Sequence, residues 1–473
     1  MLVAGVDSST QSTKVVLCRA EDGAVLGSGS APHPGGTECD PLAWWEALLQ
    51  AGDGLLSQAA AIGVAGQQHG MVTLDEDGAV VRPALLWNDL RSAAAASELI
   101  AEHGGPQRWA RETGSVPTAS FTVTKLRWLA EHEQANAARV AAVLLPHDWL
   151  TWRLAAEGRP AAASPERATT DRGDASGTGY FSPATGAWLP DLAQSALGHQ
   201  VALPGVAGPA ERVAETSRGA VLSAGTGDNM AAALGLGLLA GDVAVSIGTS
   251  GTAFMVSTVP AADVSGAVCG FADAAGAFLP LVCTVNAGLV LSAAAALAGT
   301  DLAGLSTLAL SAPPGAEGIT LLPYLDGERT PNRPGSTGVL RGLTTRNATR
   351  QNLARAAVEA VLASLADAAG QLGPAGEQPG RLLLTGGGAR SAAVREIAPA
   401  IFGRPVLVPE AAEYVALGAA RQAAWALAGT PEPPPWRARQ PTAEYDAPPQ
   451  PQVRERHAAL RDDTAAWDEG ISR

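Results

Sequence analysis

Residues 2–18 and 242–256 are written on one template, and that repetition constrains the fold more than any other feature of the chain. Leu2 to Val6 is an apolar strand, Asp7-Ser8-Ser9-Thr10-Gln11-Ser12 a polar turn, and Lys14 to Cys18 a second apolar strand. Downstream, Asp242 to Ile247 reads as a strand, Gly248-Thr249-Ser250-Gly251 as the turn and Thr252 to Val256 as the returning strand. Short apolar runs joined by small, turn-forming residues are the signature of hairpins. Two of them about half a chain apart predict two related domains. The 473 residues are ample for this, since each half can bury its own core.

Strands and helices alternate through the remainder, which predicts an α/β class. A second hairpin follows the first through Glu21-Asp22-Gly23, and Ala60 to Ala65 is a buried strand. Val72 to Val81 reads as another hairpin, turned by Asp75-Glu76-Asp77-Gly78; these acids lack the full ligand spacing of a calcium loop, so a plain turn is expected. Lys125 to Ala142 reads as helix, Glu157 to Gly186 as a polar, Gly-rich stretch, and Leu234 to Gly241 as the boundary between halves. Beyond it, helices are expected over Val285–Ala298, Leu353–Gly370, Ser391–Phe402 and Ala416–Ala428, and strands over Arg381–Thr385 and Val406–Val408. The resulting division is 1–238, 239–430 and a Pro-rich tail, 431–473, that runs over the surface and closes on a short polar helix.

Composition removes several function classes. The formal charge is −14, which argues against a nucleic-acid partner because phosphate backbones favour basic faces. Cys18, Cys39, Cys269 and Cys283 form no C-x-x-C pair, so neither structural zinc nor a disulfide framework is expected. The N-terminus lacks a basic region and reaches an acid at Asp7, unlike a signal peptide, and the longest apolar stretch, Ala287 to Ala298, is too short for a membrane span. A cytoplasmic, reducing setting without membrane contact is the expectation. Lysine occurs only at Lys14 and Lys125, which reads as coding bias.

The chemistry lies in the turns. No G-x-x-x-x-G-K run followed by Ser or Thr is present, and no strand leads into G-x-G-x-x-G with a later acid, so P-loop and Rossmann sites are unsupported. Tight turns of Gly, Ser and Thr can still hold phosphate through backbone N–H groups and hydroxyls, and both template turns have that character. Asp7, at the end of a buried strand, suits a hydrated magnesium. Gly386-Gly387-Gly388, between a buried strand and a helix, would let a flat ring such as adenine or a ribose approach the backbone. Asp228, in Thr226-Gly227-Asp228-Asn229, is a candidate general base at a helix start, where the helix dipole is expected to keep it ionised. Gln67-Gln68-His69-Gly70 follows a strand end, where α/β proteins bind ligands, and both amides and imidazoles hydrogen-bond polyols. Trp87-Asn88-Asp89 and Arg91 form a second polar cluster with an aromatic, compatible with a sugar site or a solvated loop.

Together these segments resemble the FGGY carbohydrate kinases, and within them the xylulokinases, over roughly residues 1 to 430. Ser120-Phe121-Thr122-Val123-Thr124-Lys125-Leu126-Arg127-Trp128-Leu129-Ala130-Glu131-His132 is similar to the first family signature. Gly338-Val339-Leu340-Arg341-Gly342-Leu343, with Asn352-Leu353 and Ala356-Ala357-Val358-Glu359, is similar to the second. Leu144 to Leu150 and Thr170 to Tyr180 look more like xylulokinase than like glycerol kinase. The resemblance implies two actin-like, ribonuclease-H-like domains flanking a central cleft, with the sugar mainly on the N-terminal side and nucleotide on the C-terminal side. It implies ATP-dependent phosphorylation of D-xylulose at carbon five, in D-xylose catabolism, with Asp228 as base. Gln68, His69, Trp87, Asp89 and Asn229 would be sugar-side residues. Asp7 would serve Mg2+. Thr10, Thr13, Gly248, Thr249 and Ser250 would serve the phosphates, and Gly386, Gly387 and Gly388 the adenosine. The expected partners are a small-molecule sugar and ATP, and a homodimer stays open. One departure stands out: xylulokinases usually read Q-M-H-G where this chain has Gln67-Gln68-His69-Gly70, so an inward Gln68 side chain would add a polar group. The alternatives are a kinase for another ketopentose or polyol, such as ribulose, and an actin-like ATPase switch.

Overall fold

A computed structural model describes residues 1–157, 164–373, 380–436 and 442–470. The chain divides into two compact units. The first comprises Met1–Leu238, Val256–Leu279 and Ala412–Arg439; the second comprises Leu239–Met255, Pro280–Ala411 and Gln440–Arg473. Two segments placed in 239–430 by the linear reading therefore pack with the first unit.

The first unit is built on a seven-stranded sheet. Its strands are β1 (Leu2–Ser8), β2 (Ser12–Arg19), β3 (Val25–Pro32), β4 (Ala61–Gly66), β5 (Arg212–Glu215), β6 (Val221–Ser223) and β7 (Thr226–Gly227). The order is β5-β6-β4-β1-β2-β3, with β7 also paired to β4. Strand β4 is buried throughout, as expected of a parallel strand covered on both faces. The helix Tyr414–Ala428 lies against β1 and β4. It can do so because Gly5 has no side chain: a Cβ there would come 1.9 Å from the Ala416 carbonyl oxygen. The same helix presses Gly418 onto the helix Asp228–Leu236, where a Cβ would meet the Ala231 carbonyl oxygen at 1.8 Å. Much of the alanine and glycine thus serves close backbone packing, and this packing fixes the helix that begins at Asp228.

The helices that matter for the site are α1 (Thr122–His132), α2 (Pro146–Ala155), α3 (Arg172–Ala175) and α4 (Asp228–Leu236). The helix expected over Lys125–Ala142 stops at His132, and Ala142 already starts a short strand. Val72–Val81 forms only an isolated bridge between Leu74 and Val80, since Val72–Leu74 pairs instead with Ala142–Leu144. The polar stretch from Glu157 to Gly186 lies partly outside the described residues; its described part carries strand Thr169–Asp171 and α3.

The second unit repeats the design. Strands β8 (Val243–Ile247) and β9 (Gly251–Met255) form the template hairpin, followed by β10 (Phe278–Thr284), β11 (Leu382–Thr385), β12 (Val406–Pro409) and β13 (Thr442–Tyr445). Their order is β10-β9-β8-β11-β12-β13. In each unit a hairpin strand has a parallel neighbour on its other side: β1 pairs β4 and β8 pairs β11. The tail, part of which lies outside the described residues, adds β13 and the helix Pro451–Asp463. No single described helix is long and apolar enough to cross a membrane. One pair, Gly288–Leu297 and Leu302–Ser311, meets the length and composition test only jointly, across an 81° bend.

Candidate active site

In the first unit three parallel strands end level with one another. Asp7 of β1 and Thr226 of β7 both sit opposite Ala65 of β4, and Ser8 and Gly227 both sit opposite Gly66. The segments that follow carry the turn Ser9–Gln11, the run Gln67–Gly70 and Asp228. The carboxyl ends of parallel strands are where open α/β sheets bind ligands, and the topology delivers Asp7, Gln68, His69, Asp228 and Asn229 to that one edge.

Asp228 is the first residue of α4, with Gly227 as its cap in extended conformation. The dipole argument predicts a low pKa, and the structure overturns it. Burial pushes the carboxyl up to about 7, helped by the like charges of Asp7 and Asp174, against the lowering effect of hydrogen bonds from Asn229. Two donors from Asn229, the backbone N–H and the side-chain Nδ2, reach Asp228 Oδ1 at 2.8 Å each. The same Nδ2 donates to Gln68 Oε1 at 3.1 Å. The Gln68 side chain is therefore turned toward the acid and is buried.

Asp7 is buried at the end of β1, and burial raises its carboxyl to about 6; Glu413 adds to this, while Ser9 and Lys14 oppose it. The Ser9 hydroxyl donates to Asp7 Oδ1. Lys14 Nζ pairs with Glu413 at 2.6 Å.

His69 adopts φ +67°, a left-handed conformation uncommon for a non-glycine residue. Several contacts hold it there. Lys125 Nζ donates to the His69 carbonyl at 2.7 Å and to the Ser120 carbonyl at 2.7 Å. The imidazole Nδ1 lies 2.6 Å from the Gly177 carbonyl oxygen, so Nδ1 carries the proton and Nε2 is an acceptor in the neutral ring. Phe121 and Phe271 flank the ring at centroid distances of 4.9 and 5.7 Å. Lys125 is fully buried, and burial pulls its pKa down to about 7, with Asp89 opposing.

Beneath β7 lies a buried polar cluster. His147 Nδ1 meets Asp174 Oδ2 at 2.6 Å, and Nε2 lies 3.1 Å from Asp148 Oδ1. Burial works against charge on His147, but Asp148 and Asp174 carry it up to about 9. Asp171 accepts from the Gly173 and Asp174 backbone and from the Thr226 hydroxyl at 2.8 Å. One imidazolium thus balances carboxylates that support the strand leading to Asp228.

The other expected residues of this unit are placed differently. Trp87 Nε1 donates to Thr10 Oγ1 at 2.8 Å, which joins a residue expected on the sugar side to one expected on the phosphate side. Thr13 is fully buried, and its hydroxyl is shared between Ser8 and His33 at 3.2 and 2.8 Å, inside the hairpin. Asp89 is buried; although burial opposes charge on it, bonds from Arg91 and Thr37 hold its pKa below the ordinary value.

In the second unit Ser246 of β8 sits opposite Thr385 of β11, so the turns Gly248–Ser250 and Gly386–Gly388 emerge side by side. Their approach is tight: a Cβ on Gly388 would come 2.3 Å from Ile247 Cγ2. Gly387 differs, since a Cβ there meets nothing within 4 Å. The N–H groups of Gly288 and Leu289 donate to the Gly248 and Thr249 carbonyls at 2.9 and 3.2 Å, which steadies the first turn from behind.

Sequence reasoning missed Lys125 and the His147 cluster as parts of this architecture. A signal existed for the lysine. The two lysines of the chain both stand at the site, Lys14 near Asp7 and Lys125 under His69. A compact ammonium can serve two buried carbonyls where a planar guanidinium cannot turn.

Comparison with known proteins supplies the family context. The model of the N-terminal domain of the FGGY family of carbohydrate kinases matches residues 2–236, and that of the C-terminal domain matches residues 243–427. A xylulose kinase of Streptomyces coelicolor is 49% identical over 446 residues, covering 90% of this chain and 88% of its own length. One from Streptomyces rubiginosus is 48% identical over 450 residues, with the same 90% and 88% coverage. The crystal structure of xylulose kinase from Bifidobacterium adolescentis superimposes with TM-score 0.90 at 44% identity, covering 98% of this chain and 99% of that one. A gluconate kinase structure from Lactobacillus acidophilus has the same TM-score, 0.90, at 23% identity, covering 100% and 99%, and shares the fold.

Proposed function

The chain belongs to the FGGY family of carbohydrate kinases, a two-domain actin-like fold, and from that premise we propose that it transfers the γ-phosphoryl group of ATP to the C5 hydroxyl of D-xylulose. The observation that carries the mechanism is the Asp228 carboxyl, held by Asn229 at a parallel-strand edge and pushed up to about 7. A general base works best when its proton affinity lies near the working pH. The choice of xylulose is supported by xylulose kinases 48% and 49% identical to the chain over most of its length.

The sugar lies against His69, whose Nε2 lone pair accepts a hydrogen bond from a sugar hydroxyl, while the Gln68 amide oxygen serves Asn229. Asp228 orients the C5 hydroxyl and takes its proton as the oxygen attacks the γ-phosphorus. The new O–P bond forms as the bond from γ-phosphorus to the bridging β-phosphate oxygen breaks, and ADP leaves. Because such transition states are loose, the base acts mainly by positioning and accepts the proton late. The turns Gly248–Ser250 and Gly386–Gly388 serve phosphate and adenosine. Gly387 is the position where a ring can approach without displacing protein atoms.

Asp7 fits a divalent cation. Its carboxyl is buried and destabilised as an anion, the condition a bound cation relieves. When bound, Mg2+ would neutralise charge on the β- and γ-phosphate oxygens. Thr13, enclosed within its hairpin, is left out of the nucleotide set.

ADP release with D-xylulose, D-ribulose, other pentoses and glycerol, each scored by kcat/KM, tests the proposal. D-xylulose should rank first. A different leading sugar would reassign the substrate, and ATP hydrolysis that no sugar accelerates would favour a switch module.

A further inference from the structure

We propose that Gln68 is a positioning residue for the base, acting through Asn229 to fix which oxygen of Asp228 takes the proton. The inference rests on the kinase reading for its kinetic test, but its geometry stands on three hydrogen bonds. Asn229 Nδ2 carries two protons. One goes to Asp228 Oδ1 at 2.8 Å and the other to Gln68 Oε1 at 3.1 Å. An amide NH2 held at both ends cannot rotate about its own axis without losing one partner. With the Asn229 backbone N–H also on Oδ1, that oxygen has two donors, and Oδ2 is the oxygen that can accept a proton.

Gln68 is held in turn. It is 5% exposed and stands between the strand-end residue Gly66 and the strained His69. Its aliphatic stem packs on Gly227, where a Cβ would come 2.8 Å from Gln68 Cγ. The orientation has a cost that argues for a purpose. With Oε1 turned to Asn229, Gln68 Nε2 is buried without a hydrogen-bond partner. An unmade buried donor is unfavourable, so an apolar residue of the same length would fit this position better unless the oxygen is needed.

The test uses a cycle of four full-length proteins, wild type, Gln68→Met, Asn229→Ala and the double variant, with Gln68→Asn as a fifth. Methionine keeps the length of the side chain and removes both amide atoms. With the sugar that ranks first for wild type, Gln68→Met should lower kcat about tenfold while KM for that sugar stays within about twofold, because a loosened base is misplaced in the transition state only. The double variant should be no slower than Asn229→Ala alone, since both changes break one chain of contacts. Gln68→Asn, which keeps an amide but withdraws it by one methylene, should behave like Gln68→Met. A raised KM with unchanged kcat would make Gln68 a sugar contact and overturn the proposal, as would losses that multiply in the double variant. Should wild type phosphorylate no sugar, the kinase reading fails on its own. The unfolding free energies of the same four proteins then decide this inference, and additive values would overturn it.

Discussion

Replacing Asp228 by asparagine should stabilise the protein while it slows turnover by orders of magnitude. Asparagine keeps the oxygen that accepts from the Asn229 N–H and Nδ2, so the local bonds survive. What it removes is a carboxyl whose pKa burial and neighbouring acids raise from 3.8 to about 7. A group with a raised folded pKa binds its proton more tightly when folded. Its ionisation therefore draws stability down as pH rises between those two values, and the full penalty is present above about 7. At ~1.36 kcal/mol per pH unit the ceiling is ~4 kcal/mol. Asp228 is only half-buried and its charge is shared with Asp7 and Asp174, so solvent screening reduces this to ~1–2 kcal/mol. At pH 8 that is a rise of a few degrees in melting temperature for a domain of this size. The gain should shrink toward zero near pH 4. Loss of the base should lower kcat by 10²–10⁴, or ~3–5 kcal/mol of barrier. ADP release gives the rate, and thermal melts at pH 8 and at pH 4 to 5 give the stability. Turnover within about threefold of wild type, only ~0.65 kcal/mol, would remove Asp228 from the role of base. A melting temperature lower than wild type at pH 8 would refute the electrostatic account.

Gly387→Val should raise KM for ATP at least tenfold and leave the melting temperature within a degree or two, because its Cβ meets no protein atom within 4 Å; a wild-type KM would make the turn structural. The pH profile of kcat/KM should show an acid limb near 7 for wild type. Asp7→Asn removes a like charge from Asp228 and should move that limb to lower pH while raising the Mg2+ requirement, so an unmoved or raised limb counts against the coupling. Lys125→Met leaves two buried carbonyls, those of His69 and Ser120, without their shared ammonium. At ~1–3 kcal/mol per unsatisfied group this costs ~2–6 kcal/mol, which the relief of no longer burying an ammonium offsets. The outcome expected is a raised KM for sugar, because the His69 backbone loses its anchor; a folded variant with wild-type KM in a sugar titration would refute it.

Much of the fold, and the residues of the candidate site, could be picked out in the chain. Repeated hairpins marked both units, since strand alternation and small hydroxyl turns are local properties. Asp7, Gln68, His69 and Asp228 stood out for the same reason: each closes or follows a strand, a position readable from neighbours in sequence. Tertiary structure alone decided what those residues can do. The helix start at Asp228 suggested a stabilised anion, yet burial beside Asp7 and Asp174 outweighs the dipole, and neither neighbour is near in sequence. Gln68 could have faced either way, and only the approach of α4 turned its oxygen to Asn229. Lys125 looked like an ordinary helix residue until the chain brought the His69 carbonyl to its ammonium. His147 and Asp174, 27 residues apart, became a pair only through the packing of α2 and α3 beneath β7. Likewise the helix Tyr414–Ala428, distant in sequence, packs on β1 and so completes the unit that carries Asp228. Local patterning fixes which residues can form strands, turns and helix ends; the proton affinity and orientation of a side chain depend on charges and walls that long-range packing supplies.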